Sequence, residues 1–359
     1  PISHKSHRKM VVADAYLKGL PGIDYEKGFE AMVKNAEIPP TGNQQKYGRG
    51  GVDQYIKLGY VPTEYEPKNG SPGLRTHNLY PRSGTRTVEY AANDWAIALV
   101  AKGMGKTEEY IKYKTRASNW ANLWNRNATS GDISGFIWPK TKAGKWVEKF
   151  SPFKFGSWNN CFYECNSWEY SFYVPHDVKS LIDSCGGNEK FLHRLNTLFA
   201  NDYYTVSNEP SFLTPCLYTY AGRQDKTNLT VRNIIKHNYT AKADGIPGND
   251  DAGSMAAWVI FHLMGFYPNA GQDVYLITSP HFKEVTLKLN ANKELRILSH
   301  NLSDENIYIK EVKLGGKSLN RAWFRHNEIA EGGTLEFFMT NEPTNSWAQI
   351  LPPSISDYD

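Results

Sequence analysis

The stretch Thr85–Lys106, TRTVEYAANDWAIALVAKGMGK, decides the fold. Val88, Ala91, Trp95, Ala98 and Leu99 recur at three- and four-residue spacing, which places them on one stripe of an α-helix. Gly103 and Gly105 follow as stop signals. The same pattern extends in both directions. MVVADAYLKG forms a short amphipathic helix ending at Gly19, and KGFEAMVKNA forms another. VPHDVKSLIDSCGG, NEKFLHRLNTLFAND, TPCLYTYAG and KTNLTVRNIIKHNYT continue it downstream. No Val/Ile-rich strand alternates with these helices, so a Rossmann-like sheet is not supported, and the serial helix–loop–helix order suits a helical toroid.

Past residue 270 the period changes from helical to twofold. HFKEVTLKLN sets Val285, Leu287 and Leu289 on one face of a half-buried strand. ELRILSHN, NIYIKEVKLGGKSL and GGTLEFFMT repeat the pattern with turns between them. The expected organisation is a helical body over residues 1–270 and a small antiparallel β unit over 271–359, packed on that body.

Composition narrows the function. At 359 residues the chain exceeds the usual single-domain size. Its 41 basic and 37 acidic residues nearly balance, at a formal charge of +4, and form no basic block. A nucleic-acid partner is therefore not expected. No apolar run is long enough to span a bilayer and no signal peptide is visible. The opening PISHKSHRKM suggests a mature or truncated form. The 10 Trp and 22 Tyr, many with polar flanks, are the residues against which sugar rings stack. Cys161, Cys165, Cys185 and Cys216 form no CxxC pair and read as buried free thiols. Sequons begin at Asn69, Asn127, Asn228, Asn238 and Asn301 and matter only in a host that glycosylates.

Four polar clusters carry the candidate chemistry. In GIPGNDDAGSMAAWVIFHLMGFYPNAGQDVY (Gly245–Tyr275), the helical spacing of Met255, Trp258, Val259 and His262 puts Asn249, Asp250 and Asp251 at a helix N-terminus, with Gly265 at the other end. An Asp there is an N-cap, a hard-cation ligand or a general base, since a helix N-terminus favours the ionised carboxylate. Gly248 and Gly253 leave room for a ligand to approach the backbone. In CFYECNSWEYSFYVPHDV, Glu164 lies among Phe162, Tyr163, Trp168 and Tyr170. Apolar crowding of this kind moves a carboxyl toward the range of a general acid, the alternative being a surface glutamate in an aromatic loop. His176 and Asp177 read as the start of the next helix. In SNEPSFLTPCLYTYAG, Asn208 and Glu209 precede a proline, and an oxygen-rich loop of this sort suits Ca²⁺ or a helix cap. In VEYAANDWAIA, Asn93 and Asp94 interrupt an apolar helix and need partners in the protein or on a ligand. One carboxyl suited to donate a proton and one suited to accept it is what glycoside hydrolysis requires.

With those motifs the sequence resembles glycoside hydrolase family 92, the calcium-dependent exo-acting α-mannosidases, colinearly over nearly the whole chain. GRGGVDQYIKLGYVP, RTVEYAANDWAIALVAKGMGK, FYECNSWEYSFYVPHDV, NEPSFLTPCLYTYAG and GNDDAGSMAAWVIFHLMGFYPNAGQDVYLITSP carry the likeness, and the final strands resemble the family's C-terminal β unit. The resemblance implies a mainly α fold, an (α/α)6 toroid with the family's N-terminal β-sandwich absent from this chain or supplied by another. It implies a secreted or periplasmic, inverting exo-α-mannosidase that removes terminal mannose from N-glycans or mannans. Glu164 stands at the general acid and Asp251 at the general base, with Asn249 and Asp250 holding the water or the cation. Asn208, Glu209 and Asp251 are the implied Ca²⁺ ligands, with Ca²⁺ gripping mannose O2 and O3. Asn93, Asp94, Asn166, Trp168 and Glu209 are the implied substrate contacts.

Four positions depart from the family pattern. Cys165 and Glu169 replace a Gly after the acid and a Gln before the Tyr, and Asn93 replaces the first Asp of the usual DDW. Asn208 stands where enzymes cutting α-1,2 bonds carry His, which weakens that linkage and leaves α-1,3, α-1,6 and mannosyl-phosphate substrates open. The rival readings are a carbohydrate-binding protein on a degenerate glycosidase scaffold and a toroid glycosidase acting on another sugar.

Overall fold

The computed structural model describes residues 8–40, 48–64, 82–153, 161–290 and 292–358. Contacts divide the chain into two units. The first comprises Pro1–Lys190, Asn196–Tyr204 and Ala270–Gln272, and the second Phe191–Leu195, Thr205–Asn269 and Asp273–Asp359.

In the first unit, α1 (Arg8–Leu17) and α2 (Tyr25–Glu37) precede a short α3 (Val52–Leu58). Asp24 caps α2 by accepting a hydrogen bond from the Lys27 backbone at 3.1 Å, which satisfies one of the helix's orphan N–H groups. The centre of the unit is α4 (Ser83–Gly103). It packs against α1, α2, α5 (Thr107–Ala117) and α6 (Ser167–Tyr170). Every residue from Ser83 to Ala101 is buried. The stripe of Val88, Ala91, Trp95, Ala98 and Leu99 is thus one face of a helix that has no solvent face along these residues. Neighbours on all sides take up the alanines and force the polar side chains to pair inside the protein.

A hairpin that helical reading passed over follows α5. Strands β1 (Trp124–Ser130) and β2 (Ile133–Ile137) pair antiparallel around Gly131, whose φ of +60° makes the reversal. Helices α7 (Val178–Ser184) and α8 (Asn188–Ala200) come next. His176 bonds the Ala117 carbonyl at 2.8 Å and Asp177 is the residue before α7, so both serve structure.

The second unit contains single-turn 3₁₀ segments at Glu209–Ser211 and Thr214–Cys216, then α9 (Leu217–Tyr220), α10 (Gln224–Asn238) and α11 (Ser254–Met264). Gly265, with φ +98°, ends α11 as its position in the sequence requires. Eight strands follow: β3 (Phe266–Pro268), β4 (Val274–Ile277), β5 (Glu284–Asn290), β6 (Lys293–His300), β7 (Tyr308–Leu314), β8 (Lys317–Ser318), β9 (Trp323–Arg325) and β10 (Gly333–Thr340). They form sheets of order β3-β4-β9 and β5-β6-β10-β7-β8. All pairs are antiparallel except β6 with β10, which is parallel, Leu335 facing Ile297. Leu295, Ile297, Leu335, Phe337 and Met339 alternate inward and share a core with Phe266, Ile277 and Phe324. Each such side chain contributes about 1.5–3 kcal/mol by leaving water. Val285 and Leu287 of the edge strand β5 pack half-buried on that core, while Leu289 is exposed.

All four cysteines are free and buried, as the sequence implied. Asn228 is buried and shares two amide hydrogen bonds with Gln224, so its sequon is closed to modification in the folded chain. Asn127, Asn238 and Asn301 are exposed, and Asn69 lies outside the described residues.

Two imidazoles in the second unit, His262 buried and His281 half-buried, are expected to set an acid limit on stability. His262 stacks on Tyr267 at 4.7 Å and meets Trp258 edge-on at 4.3 Å. Burial, with His281 nearby, pushes its pKa down to about 3. Burial and Arg232 push His281 down to about 4. Unfolded histidines take up protons at about pH 6.5, so folding holds these two neutral. Their contribution is full above that pH and is lost as pH falls from there toward 3–4. His262→Phe keeps the ring stack and removes one titrating group. Thermal melts from pH 7.5 to 4.5 are expected to show a shallower decline for the variant than for the wild type. Parallel declines would show that His262 does not set the acid limit.

Candidate active site

In the first unit, the loop ahead of α6 holds Glu164 half-buried in a left-handed conformation, φ +64°. A glutamate tolerates that geometry only where its surroundings fix it. Gly84 N and Thr85 N both donate to the Cys161 carbonyl, at 2.9 and 3.3 Å, and Thr85 Oγ1 accepts from Tyr163 N at 2.9 Å. Phe162 lies so close to Gly84 that a Cβ there would meet its ring at 2.5 Å. The start of α4 therefore clamps the loop that carries Glu164. Phe162 also stacks on Tyr170, centroids 5.5 Å apart, and the Tyr170 hydroxyl donates to Glu89 at 3.2 Å.

Asn166 caps α6, its side-chain oxygen accepting from Glu169 N at 3.2 Å, which leaves its NH₂ as a donor. Trp168 is fully buried, edge-on to Phe136 at 5.0 Å, with its indole N–H donating to Ser130 at 3.2 Å. Its contacts are those of a core residue backing the loop. Asn93 is also buried and donates to the Glu89 carbonyl at 2.6 Å. Asp94 is fully buried between two guanidinium groups, Arg49 Nη1 at 2.6 Å and Arg116 Nε at 2.9 Å. Arg116 also reaches Glu37 at 2.7 Å. Burial works against the Arg116 charge, but Asp94 and its other anionic neighbours more than offset this and raise its pKa. Lys9 joins the cluster through Asn35, and burial together with Arg49 holds its amine well below the usual lysine range.

In the second unit, the helix-start cluster divides its labour. The residue before α11 is Gly253, which has no side chain to cap with. Asp250 does that work from three residues further back. Its Oδ1 accepts from Ala256 N at 2.9 Å and its carbonyl from Ser254 N at 2.7 Å. The capping role expected of this cluster thus falls to Asp250. Asp251 and Ala252 are exposed and take left-handed φ values of +39° and +63°. Asn249 is exposed as well.

Ser254 joins two of the predicted motifs. Its hydroxyl donates to Glu209 Oε1 at 3.0 Å and lies 3.1 Å from the Asp250 carbonyl. Asn208 has an extended backbone, φ −137°, and Glu209 opens the 3₁₀ turn. Nothing lies within 4 Å of a Cβ built at Gly253, so the open space expected there exists. At Gly248 it does not: with φ +68°, the position is packed against Ser207, whose atoms a Cβ would meet at 2.7 Å. That glycine admits the neighbouring loop rather than a ligand.

Among the described residues no three His, Cys, Asp or Glu side chains gather as a metal cluster. A cation near Asn208, Glu209 and Asp251 would therefore rely on carboxylate, amide and backbone oxygens. An all-oxygen set of that kind suits a hard ion such as Ca²⁺ and does not suit zinc or copper.

Sequence reading missed Arg82, Ser254, Arg49 and Arg116. Arg82 carries a local signal only in hindsight, since φ +46° is not legible in an Arg. Seven non-glycine residues have positive φ among the described residues, and four of them, Arg82, Glu164, Asp251 and Ala252, lie in or beside the two acidic loops. Strain of this kind gathers where function requires it.

A mainly helical chain with acidic loops held in strained conformations fits the toroidal glycoside hydrolases. The chain belongs to glycosyl hydrolase family 92, whose catalytic-domain profile matches residues 3–341. It is similar to an uncharacterized secreted glycosidase of Arthroderma benhamiae, at 35% identity over 98% of this chain and 47% of that protein. Among solved structures it is similar to a family 92 α-mannosidase of Bacteroides thetaiotaomicron in complex with mannoimidazole. That match has 28% identity and a TM-score of 0.84, covering 97% of this chain and 45% of the other. A family 92 inverting mannosidase from the same organism matches at 29% identity and a TM-score of 0.85, covering 97% and 48%. The likeness bears out the (α/α)6 toroid class with its C-terminal β unit. The chain spans about half the length of these relatives.

Gly248→Ala tests the packing of the two acidic loops of the second unit. It forces a side chain into a left-handed position against Ser207, and is expected to cost about 1–3 kcal/mol in urea unfolding. An unchanged unfolding midpoint would mean that the close approach at Ser207 is not needed.

Proposed function

We propose that the chain carries the catalytic machinery of a secreted, Ca²⁺-dependent, inverting exo-α-mannosidase that releases terminal mannose from N-glycans or mannans. The observation that carries this reading is the strained, clamped backbone at Glu164 and the left-handed backbone at Asp251, the two carboxylates to which the sequence resemblance gives the acid and base roles. Glu164 gives its proton to the glycosidic oxygen as that bond to the anomeric carbon breaks. Asp251 takes a proton from the water that attacks the opposite face, so the product is the inverted anomer. Asn166 would offer the sugar a donor and Glu209 an acceptor, and Asn249 would help orient the water. Asn208, Glu209 and Asp251 would hold Ca²⁺, which on binding supplies a grip on adjacent sugar hydroxyls. Asn208 weakens the case for α-1,2 linkages and leaves α-1,3, α-1,6 and mannosyl-phosphate linkages open.

An extracellular location is supported by the secreted relative, and no helix among the described residues is long and apolar enough to cross a membrane.

Glu164→Gln and Asp251→Asn are each expected to slow hydrolysis of an unactivated mannobiose by about 10²–10⁴-fold while leaving mannose binding within a few-fold by calorimetry. Wild-type rates in either variant would remove that residue from its role. Dialysis against EDTA is expected to abolish activity and added Ca²⁺ to restore it; full turnover without any divalent ion would end the calcium reading.

A further inference from the structure

Arg82, the residue immediately before α4, has no part in the reaction as described so far. It is 1% exposed, and its guanidinium lies 3.9 Å from the centroid of the Tyr163 ring. Tyr163 is the residue immediately before Glu164. Among the described residues, the titratable groups in electrostatic contact with Arg82 include Arg86 of α4, Tyr163 and Glu164 of the loop, and Tyr170 of α6. Glu89 of α4 joins them through the Tyr170 hydroxyl. Arg82 and Glu164 both have left-handed backbones, at φ +46° and +64°. The bonds from Gly84, Thr85 and Tyr163 tie the two strained segments together. The cation thus stands over the ring of the residue that precedes the acid, on a segment bonded to the acid's loop.

We propose that Arg82 is a positioning residue for Glu164, holding the acid's loop and stabilising the carboxylate left when Glu164 has protonated the glycosidic oxygen. This rests on the reading of Glu164 as the general acid. In that step the proton leaves the Glu164 carboxyl for the oxygen, the bond to the anomeric carbon breaks, and the aglycone departs as an alcohol. The negative charge that remains on Glu164 develops within the electrostatic reach of a cation fixed on the adjoining Tyr163 ring. Burial and Arg86 lower the pKa of Arg82 to about 10, with Tyr163, Tyr170 and Glu164 opposing, so the cation persists across the pH range in which an acid of this kind works.

The test compares two leaving groups and two substitutions. A 2,4-dinitrophenyl α-mannoside departs without protonation, whereas an α-linked mannobiose needs the acid. Arg82→Gln is expected to lower kcat on the mannobiose about tenfold or more, with KM changed less than about threefold. The dinitrophenyl substrate should lose less than about threefold. The alkaline limb of the mannobiose pH–rate profile should move up by about one pH unit, because loss of the cation makes Glu164 hold its proton more tightly. Arg82→Lys restores the charge and is expected to return the limb to its wild-type position. Equal losses on both substrates, or an unmoved limb, would overturn the proposal. If Arg82→Gln fails to fold by circular dichroism, Arg82→Lys decides alone: a limb displaced by a full unit with the charge retained overturns it, and a limb in place with slowed mannobiose turnover supports it. Glu164→Gln serves as the control for the underlying reading. Wild-type mannobiose rates in that variant would bring down the acid assignment and this inference with it.

Discussion

The first unit depends on how charge is handled around a helix with no wet face. Asp94 lies midway along α4 and is wholly buried. An unpaired carboxylate there would be prohibitively costly, so Arg49 and Arg116 must arrive from outside the helix to meet it. Arg116 in turn collects Glu37, drawing the end of α2 toward α5. Removing one partner of such a set typically costs about 3–5 kcal/mol, more than removing the whole set together would. The demand that every buried charge find a partner therefore fixes the register of α2 and α5 on α4, and with it the end of α4 that grips the Glu164 loop.

Much of this arrangement was legible in the sequence. The helical stripe in α4, the glycine stops at Gly19 and Gly265, and the twofold period past residue 270 all correspond to observed elements. Local spacing suffices where one face of an element decides its fate. It fails where burial is complete, because a helix enclosed on every side shows no clean polar face, and α4 is such a helix. The β1–β2 hairpin was missed for a related reason. Its strands are short, and the reversal at Gly131 reads like one more helix stop. The parallel pairing of β6 with β10 joins strands about forty residues apart, which no local pattern can disclose.

The site shows the same division. The acidic clusters were visible because residue type alone suggests their chemistry. Their surroundings were not, since Arg82 and Ser254 are distant in sequence from the Glu164 loop and from Glu209 and belong to types found on any surface. A glycine gave the opposite error. Gly248 has the absent side chain that a ligand contact would favour, yet the space is taken by Ser207. Composition reveals that room has been made, and only the fold reveals for whom.

The capping of α11 by Asp250 also affects how variants in this loop are interpreted. Because Gly253 cannot cap, the first turn of the helix depends on a residue from the neighbouring acidic pair for two of its N–H groups. An alanine at Asp250 would keep the carbonyl that accepts from Ser254 and lose the carboxylate that accepts from Ala256, fraying the first turn of α11. A loss of turnover in that variant would then have an architectural cause, whatever chemistry the carboxylate also carries. Substitutions at the two adjacent aspartates can thus give the same kinetic defect for unrelated reasons. A helicity measurement, rather than a rate, distinguishes them.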